Sequence, residues 1–179
     1  LLNIAYMTLG EYPHRVPKKY LIDPTWFKSK IDYPRYTDIA AQLGLNTYSL
    51  AGGTVIDDFN NDGWLDIVVT SMGTKEELIL YINNGDGTFA DRTEAFGLKG
   101  HVAILNLNQT DYNNDGWLDL FLMRGGWYKG QGDMPCTLLK NTGKGSFVDV
   151  TLKAGLTKYA ASQTSAWADY NLDGWLDLI

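Results

Sequence analysis

One acidic nine-residue segment occurs three times in this 179-residue chain and constrains its fold more than any other feature. The copies are Asp58-Phe-Asn-Asn-Asp-Gly-Trp-Leu-Asp66, Asp111-Tyr-Asn-Asn-Asp-Gly-Trp-Leu-Asp119 and Asp169-Tyr-Asn-Leu-Asp-Gly-Trp-Leu-Asp177. Self-similarity at a period of about 50 residues is the signature of tandem structural units. The chain is therefore expected to be a repeat array.

Two further segments repeat in phase with the first. Leu80-Tyr-Ile-Asn-Asn-Gly-Asp-Gly-Thr-Phe-Ala-Asp91 matches Leu138-Leu-Lys-Asn-Thr-Gly-Lys-Gly-Ser-Phe-Val-Asp149. Behind each of them, Glu94-Ala-Phe-Gly-Leu98 matches Lys153-Ala-Gly-Leu156, and residues 36–45 hold an earlier copy. Three segments with one phase indicate a duplicated structural unit.

Short β-branched and apolar runs between Gly-rich and Asn-rich turns predict about four antiparallel strands in each unit. The predicted strands are 54–57, 65–70, 77–83 and 88–93, then 104–111, 118–123, 137–140 and 146–151, then 164–169 and 176–179. This pattern predicts an all-β fold of β-propeller blades, two complete and a third partial. Residues 1–35 read as a helical and irregular N-terminal lead-in interrupted by prolines, before a repeat region over 36–179.

Oxygen-bearing side chains recur at alternate positions of each acidic segment. Positions 1, 3, 5 and 9 are Asp, Asn, Asp and Asp, Gly at position 6 allows a sharp turn, and Trp at position 7 offers its carbonyl. Calcium takes six to eight oxygen ligands, so we predict three calcium sites. The predicted ligands are Asp58, Asn60, Asp62, Trp64 and Asp66, then Asp111, Asn113, Asp115, Trp117 and Asp119, then Asp169, Asn171, Asp173, Trp175 and Asp177.

Other interpretations of these segments fit less well. An EF-hand ends in Glu at position 12, where this chain has Val69 and Leu122, and it is flanked by helices. Zinc would require Cys or His, and magnesium prefers water and strict octahedral geometry. The segments could also be ordinary hairpin turns, but three copies with the same four side-chain positions filled favour a metal. The recurring Trp is expected to pack between units.

The charge distribution agrees with cation sites. The formal charge is −6, and nine of the 21 acidic residues are the Asp of the three segments. Such an acidic chain is not expected to bind nucleic acid. No apolar stretch is long enough for a transmembrane helix. The single cysteine, Cys136, cannot form an intrachain disulfide and is expected to be a small buried residue.

These segments resemble the FG-GAP or VCBS repeat, which builds the β-propellers of integrin α-subunits and of cartilage-acidic-protein-like secreted proteins. The resemblance covers residues 36–179. It implies a propeller with one calcium loop per motif-bearing blade, in an extracellular, periplasmic or cell-surface protein. A propeller closes with about four to eight blades. The chain is therefore expected to be part of a longer protein or to be completed by other copies.

The function expected from this is a calcium-binding repeat region that serves as an extracellular binding, adhesion or structural scaffold. Its partner would be a protein or glycan ligand, or the rest of an extracellular assembly. No catalytic constellation such as Ser-His-Asp is evident, so no enzyme activity is expected. The alternative is a non-catalytic part of a larger secreted enzyme whose active site lies in other blades.

Overall fold

The computed structural model describes residues 1–31, 34, 36–125, 134–159 and 161–179. The chain divides into two compact units, Leu1–Asp38 and Ile39–Ile179. The boundary predicted between residues 35 and 36 adjoins Arg35, which lies outside the described residues. Among the described residues, no helix is long and apolar enough to cross a membrane.

The first unit is helical and irregular, as predicted. Helix α1 spans Leu2–Thr8, and two short 3-10 helices span Lys18–Tyr20 and Pro24–Phe27. Asn3 links α1 to the end of the first 3-10 helix and the residues after it: its Nδ2 donates to the Tyr20 carbonyl at 2.8 Å, and its Oδ1 accepts from the Ile22 N–H at 3.1 Å. The Asn3 side chain is buried, so both of its polar atoms need these partners.

The second unit contains all ten described strands, and the predicted all-β fold is confirmed. The first sheet has the order β1-β2-β3-β4 and the second the order β5-β6-β7-β8, while β9 and β10 form a two-stranded sheet. All neighbouring strands are antiparallel. The strands are β1 Thr54–Asp57, β2 Asp66–Val69, β3 Ile79–Asn83, β4 Phe89–Asp91, β5 Ile104–Thr110, β6 Asp119–Arg124, β7 Thr137–Asn141, β8 Phe147–Asp149, β9 Trp167–Ala168 and β10 Asp177–Leu178.

Each predicted strand overlaps an observed one, and most observed strands are shorter than predicted at one or both ends. The fourth strands end at Asp91 and Asp149, earlier than predicted, because the carboxylates of these last paired residues accept the N–H groups of Thr93 and Thr151 in local turns. Asp side chains commonly compete with strand pairing in this way.

Within the described residues, two hydrophobic clusters join successive sheets. The larger one combines residues of the first sheet, such as Leu80 and Val68, with residues of the second, such as Leu120 and Leu139, and all four are almost fully buried. The smaller one centres on Phe121 of β6, which meets Trp167 of β9 edge to face. Sheets therefore pack face to face like propeller blades, although the described sheets do not close into a ring.

Candidate metal-binding loops

Each acidic segment connects the first two strands of its sheet. Residues 58–66 (loop 1) join β1 to β2, residues 111–119 (loop 2) join β5 to β6, and residues 169–177 (loop 3) join β9 to β10. The three loops thus occupy equivalent places in three successive sheets. The ninth residue of each loop is also the first residue of the following strand.

In loop 1 the predicted ligand side chains turn toward the interior of the loop. Asp58 accepts the N–H groups of Asp62 at 3.1 Å and Gly63 at 2.8 Å, one with each carboxylate oxygen. Asn60 Oδ1 accepts the same Asp62 N–H at 3.1 Å, and Asp62 Oδ1 accepts from the Trp64 N–H at 2.8 Å. Loops 2 and 3 repeat all four hydrogen bonds at their equivalent positions. The carboxylates at positions 1 and 5 and the amide at position 3 are therefore gathered around one short backbone segment.

The ninth-position Asp ties the loop to the sheet. In loop 1, Asp66 is fully buried, and its two oxygens accept from the N–H of Phe59 at 3.0 Å and the N–H of Asn83 at 2.8 Å. Asp119 of loop 2 is equally buried and makes the matching bonds to Tyr112 and Asn141. In loop 3 the half-buried ninth Asp accepts from the second residue of its loop at 3.0 Å.

These buried carboxylates experience both desolvation and repulsion. Burial raises the pKa of Asp66, the two backbone hydrogen bonds oppose the rise, and the nearby carboxylates of Asp62 and Asp58 add to it. The same causes raise the pKa of Asp119 to about 6, with Asp115 and Asp111 as the neighbouring anions. A buried anion beside two others is unfavourable unless a cation is close.

The donor set fits a hard divalent cation, because every predicted side-chain ligand offers oxygen and no Cys or His lies in a loop. In the part of the chain that the structure describes, however, no group of three or more acidic, His or Cys side chains is arranged as a metal cluster. The loop carboxylates accept backbone N–H groups, and each oxygen that accepts one such bond keeps a further lone pair that a cation could use. The predicted ligands therefore share a loop, and their coordination of a metal stays a prediction.

Comparison with protein families agrees with this repeated geometry. The model described as FG-GAP-like repeat matches residues 58–122 and 111–179, which together make up more than half of the chain. The chain belongs to the FG-GAP-like repeat family. A search of curated proteins found no significant match.

The loops of the FG-GAP-like repeats share their backbone hydrogen bonds but differ in the side chain that binds the Asp at position 5. In loops 1 and 3 the Asn at position 3 donates its amide to Oδ2 of the Asp at position 5, at 2.7 and 3.0 Å. In loop 2 that oxygen, on Asp115, forms an ion pair with Lys140 Nζ at 2.9 Å. The Asn113 amide of loop 2 is buried and has no hydrogen-bond partner among the described residues.

The ion pair affects both of its partners. Burial alone would raise the pKa of Asp115, but the hydrogen bonds from Lys140 and from the Trp117 N–H outweigh it and lower that pKa. The bond to Asp115 in turn raises the pKa of Lys140. The Lys140 ammonium group therefore already pairs with one of the loop 2 carboxylates, that of Asp115.

Neighbouring FG-GAP-like repeats are linked loop to loop. Asn61, at position 4 of loop 1, donates to the Gly116 carbonyl of loop 2 at 3.0 Å, and Asn114 of loop 2 donates to the Gly174 carbonyl of loop 3 at 3.1 Å. Both Asn have φ of 56°, in the left-handed region that Asn tolerates better than most residues. Position 4 of loop 3 is Leu172, which cannot donate such a bond.

The loop tryptophans of the two complete sheets contact their own repeat, and their packing between units stays a prediction. A methyl group placed on Gly85 would lie 2.8 Å from Trp64 Nε1, and one on Gly143 would lie 2.6 Å from Trp117 Nε1. Each indole therefore lies on the glycine turn between the third and fourth strands of its own repeat. The recurring Asn-x-Gly turns carried this signal in the sequence, since only glycine allows a ring to approach so closely.

The sequence reasoning also missed residues outside the loops that support them. Asn83 and Asn141, at the same place in the second repeated segment, donate their backbone N–H groups to the ninth-position Asp. Asn141 further donates its amide to the Phe59 carbonyl of the first repeat at 2.9 Å. Their recurrence was visible, but their partners lie far away in sequence. Cys136 is half-buried against the smaller hydrophobic cluster.

A cavity of about 940 Å³ opens at the end of β2 opposite to loop 1. Its wall includes the charged residues Glu76, Glu77, Arg92, Glu94 and Lys99. The cavity does not include any residue of the three loops, so it is a separate feature of the first repeat.

Proposed function

We propose that this repeat region binds calcium through its three loops and serves as an extracellular binding, adhesion or structural scaffold. Family membership supports the coarser part of this statement, because FG-GAP-like repeats form β-propeller-like binding or structural domains. Calcium binding, adhesion and the extracellular setting go beyond what family membership supports.

The observation that carries the proposal is the buried ninth Asp beside two other carboxylates. Asp66 and Asp119 are 0% exposed, and the pKa of each is raised by burial and by two loop neighbours. Such a site gains stability when a divalent cation offsets the crowded negative charge. The Asp, Asn and Asp at positions 1, 3 and 5 would hold the ion with the ninth Asp and the Trp carbonyl. When bound, calcium supplies charge neutralisation and rigidity.

A rigid loop at each sheet end would suit a scaffold. Each loop fixes the connection between two strands, and Asn61 and Asn114 fix successive loops to each other. Ion binding would therefore stiffen one end of the whole array, which lowers the entropy lost when a protein or glycan ligand binds there.

Titration calorimetry of the chelator-treated chain with calcium tests the proposal, together with thermal unfolding with and without the ion. We expect saturable binding and a rise in melting temperature, since a ligand at about 100 times its Kd adds roughly 2.7 kcal/mol per site. Asp58→Asn should weaken one site, whereas Asp86→Asn, in an exposed turn of the same repeat, should not.

No heat and no change in melting temperature would refute calcium binding. The scaffold role has its own test, which is binding of the chain to a glycan array and to cell surfaces with calcium or with chelator. If neither the glycan array nor the cell surfaces retain the chain in calcium, the scaffold role is refuted. The proposal of ion binding is unaffected by that result.

A further inference from the structure

Lys140 distinguishes loop 2 from loop 1. In β3 and β7 the residues whose N–H groups bind the ninth-position Asp are Asn83 and Asn141, so the residues before them, Ile82 and Lys140, are equivalent. Strand register agrees: Ile82 pairs with Ala90, and Lys140 pairs with Val148 at the same step of the β7–β8 ladder. One repeat thus has an aliphatic side chain where the next has an ammonium group.

Burial explains why each side chain suits its place. Ile82 is 8% exposed and belongs to the larger hydrophobic cluster. The Lys140 side chain is 34% exposed and extends to Asp115 Oδ2, 2.9 Å away. Among the described residues, no lysine or arginine forms an ion pair with a carboxylate of loop 1 or loop 3. The ammonium is therefore specific to loop 2 in this part of the chain.

We infer that Lys140 is a built-in counter-charge that makes loop 2 the weaker calcium site and the less calcium-dependent one, which rests on the proposed function. Loop 1 has three carboxylates without a paired cation, whereas one of the three in loop 2 is already paired. The Asp115 oxygen that Lys140 binds must be shared or released when an ion enters. A divalent ion held by the same carboxylate would also repel the ammonium at a distance of a few ångströms.

The expected effect is moderate. Repulsion between a single and a double charge a few ångströms apart, at the dielectric constant of water, weakens binding on the order of tenfold. A tenfold change corresponds to about 1.4 kcal/mol. Conversely, loop 2 should keep its folded geometry at calcium concentrations too low to fill loop 1.

The glycine at position 6 of each loop allows the two sites to be observed separately. The Gly63 N–H donates to Asp58 at 2.8 Å and the Gly116 N–H donates to Asp111 at 2.7 Å, so both amides sense changes at the position-1 carboxylate. We would label the full chain with ¹⁵N-glycine, remove metal with chelator, and follow both amide signals during titration with calcium. In the native chain, the Gly116 signal should move at roughly tenfold higher calcium than the Gly63 signal.

Variants at Lys140 give the decisive comparison. Lys140→Ile copies the first repeat, and Lys140→Gln removes the charge while keeping a polar side chain, in case the former folds poorly. Both should bring the Gly116 midpoint to within about threefold of the Gly63 midpoint. Lys140→Arg should preserve the separation, and Lys153→Ile, which removes an exposed lysine after β8, should change neither midpoint.

Different outcomes refute different claims. Coincident midpoints in the native chain, or an undiminished separation in both neutral variants, would overturn the role of Lys140 while leaving calcium binding established. If neither glycine signal moves up to millimolar calcium, the proposed calcium sites are absent and the inference falls with them.

Discussion

Replacing the buried Asp66 by Asn tests whether loop 1 depends on a cation. The carboxylate accepts two backbone N–H groups, at 3.0 and 2.8 Å, in a fully buried position. Asn keeps one acceptor oxygen but turns an NH₂ group toward the other N–H. Hydrogen bonds to a charged group contribute about 1.5–3 kcal/mol, and an unsatisfied buried N–H costs roughly 1–3 kcal/mol.

The sign of the calcium dependence follows from the charges. In chelator, Asp66→Asn also removes a buried anion whose pKa is raised by burial and by Asp62 and Asp58, so part of the loss is offset. In excess calcium the bound cation would already offset the negative charge of Asp66, so removing this anion brings no gain. The ion also loses one of its ligands. We expect the free energy of unfolding to fall by about 3 kcal/mol or more with calcium and by about 1 kcal/mol in chelator.

Urea denaturation of the native chain and the variant, each with calcium and with chelator, measures these four free energies. Asp86→Asn is the matched control, because Asp86 also accepts two hydrogen bonds, both from Thr88, but in an exposed turn. The control should lose about 1 kcal/mol or less in both conditions. Equal losses for Asp66→Asn with and without calcium would refute the coupling between this carboxylate and a cation.

Three further changes test other parts of the structure. Asn61→Leu, which copies loop 3, should lower the free energy of unfolding by about 1 kcal/mol through the lost inter-loop bond; an unchanged urea midpoint would contradict it. Gly85→Ala should cost about 1–3 kcal/mol more than Gly87→Ala, because both have positive φ but only the former places a methyl group against an indole; equal losses in thermal unfolding would contradict that contact. Burial first, and then the neighbouring Arg124 cation, lower the pKa of His101 below its ordinary value of 6.5. The unfolded chain therefore takes up the proton more readily, and this contribution to stability is lost as pH falls below about 6.5. His101→Gln should show a smaller decrease in unfolding free energy between pH 7 and pH 5, and an identical decrease would refute this assignment.

Local patterns were enough to predict the strands. The run 54–57 is confirmed to the residue, and the predicted strand 104–111 ends one residue later than the observed β5. Such runs are read correctly because strand alternation and Gly-rich turns act over only a few residues. The loops were predicted for the same reason: Asp and Asn bind backbone N–H groups two to five positions onward. These bonds require no distant partner.

Long-range contacts were not predictable in this way. The contact between the Trp64 indole and the glycine turn of its own repeat was not predicted. It depends on how β2, β3 and β4 are arranged, because the loop and the glycine turn come together only after the strands have paired. A recurring Trp indicates a packed position but does not identify its partner.

The sequence by itself determined the period of the repeats, the alternating oxygen side chains of the loops and the all-β fold, because each arises from neighbours along the chain. Only the tertiary structure decided that Lys140 meets Asp115, that Asn61 meets the Gly116 carbonyl, and that Asp66 is buried. The hydrogen bonds from Asn83 to Asp66 and from Asn61 to Gly116 join residues 17 and 55 positions apart. They exist because strand register and sheet packing bring separate segments together, and chain proximity cannot specify them.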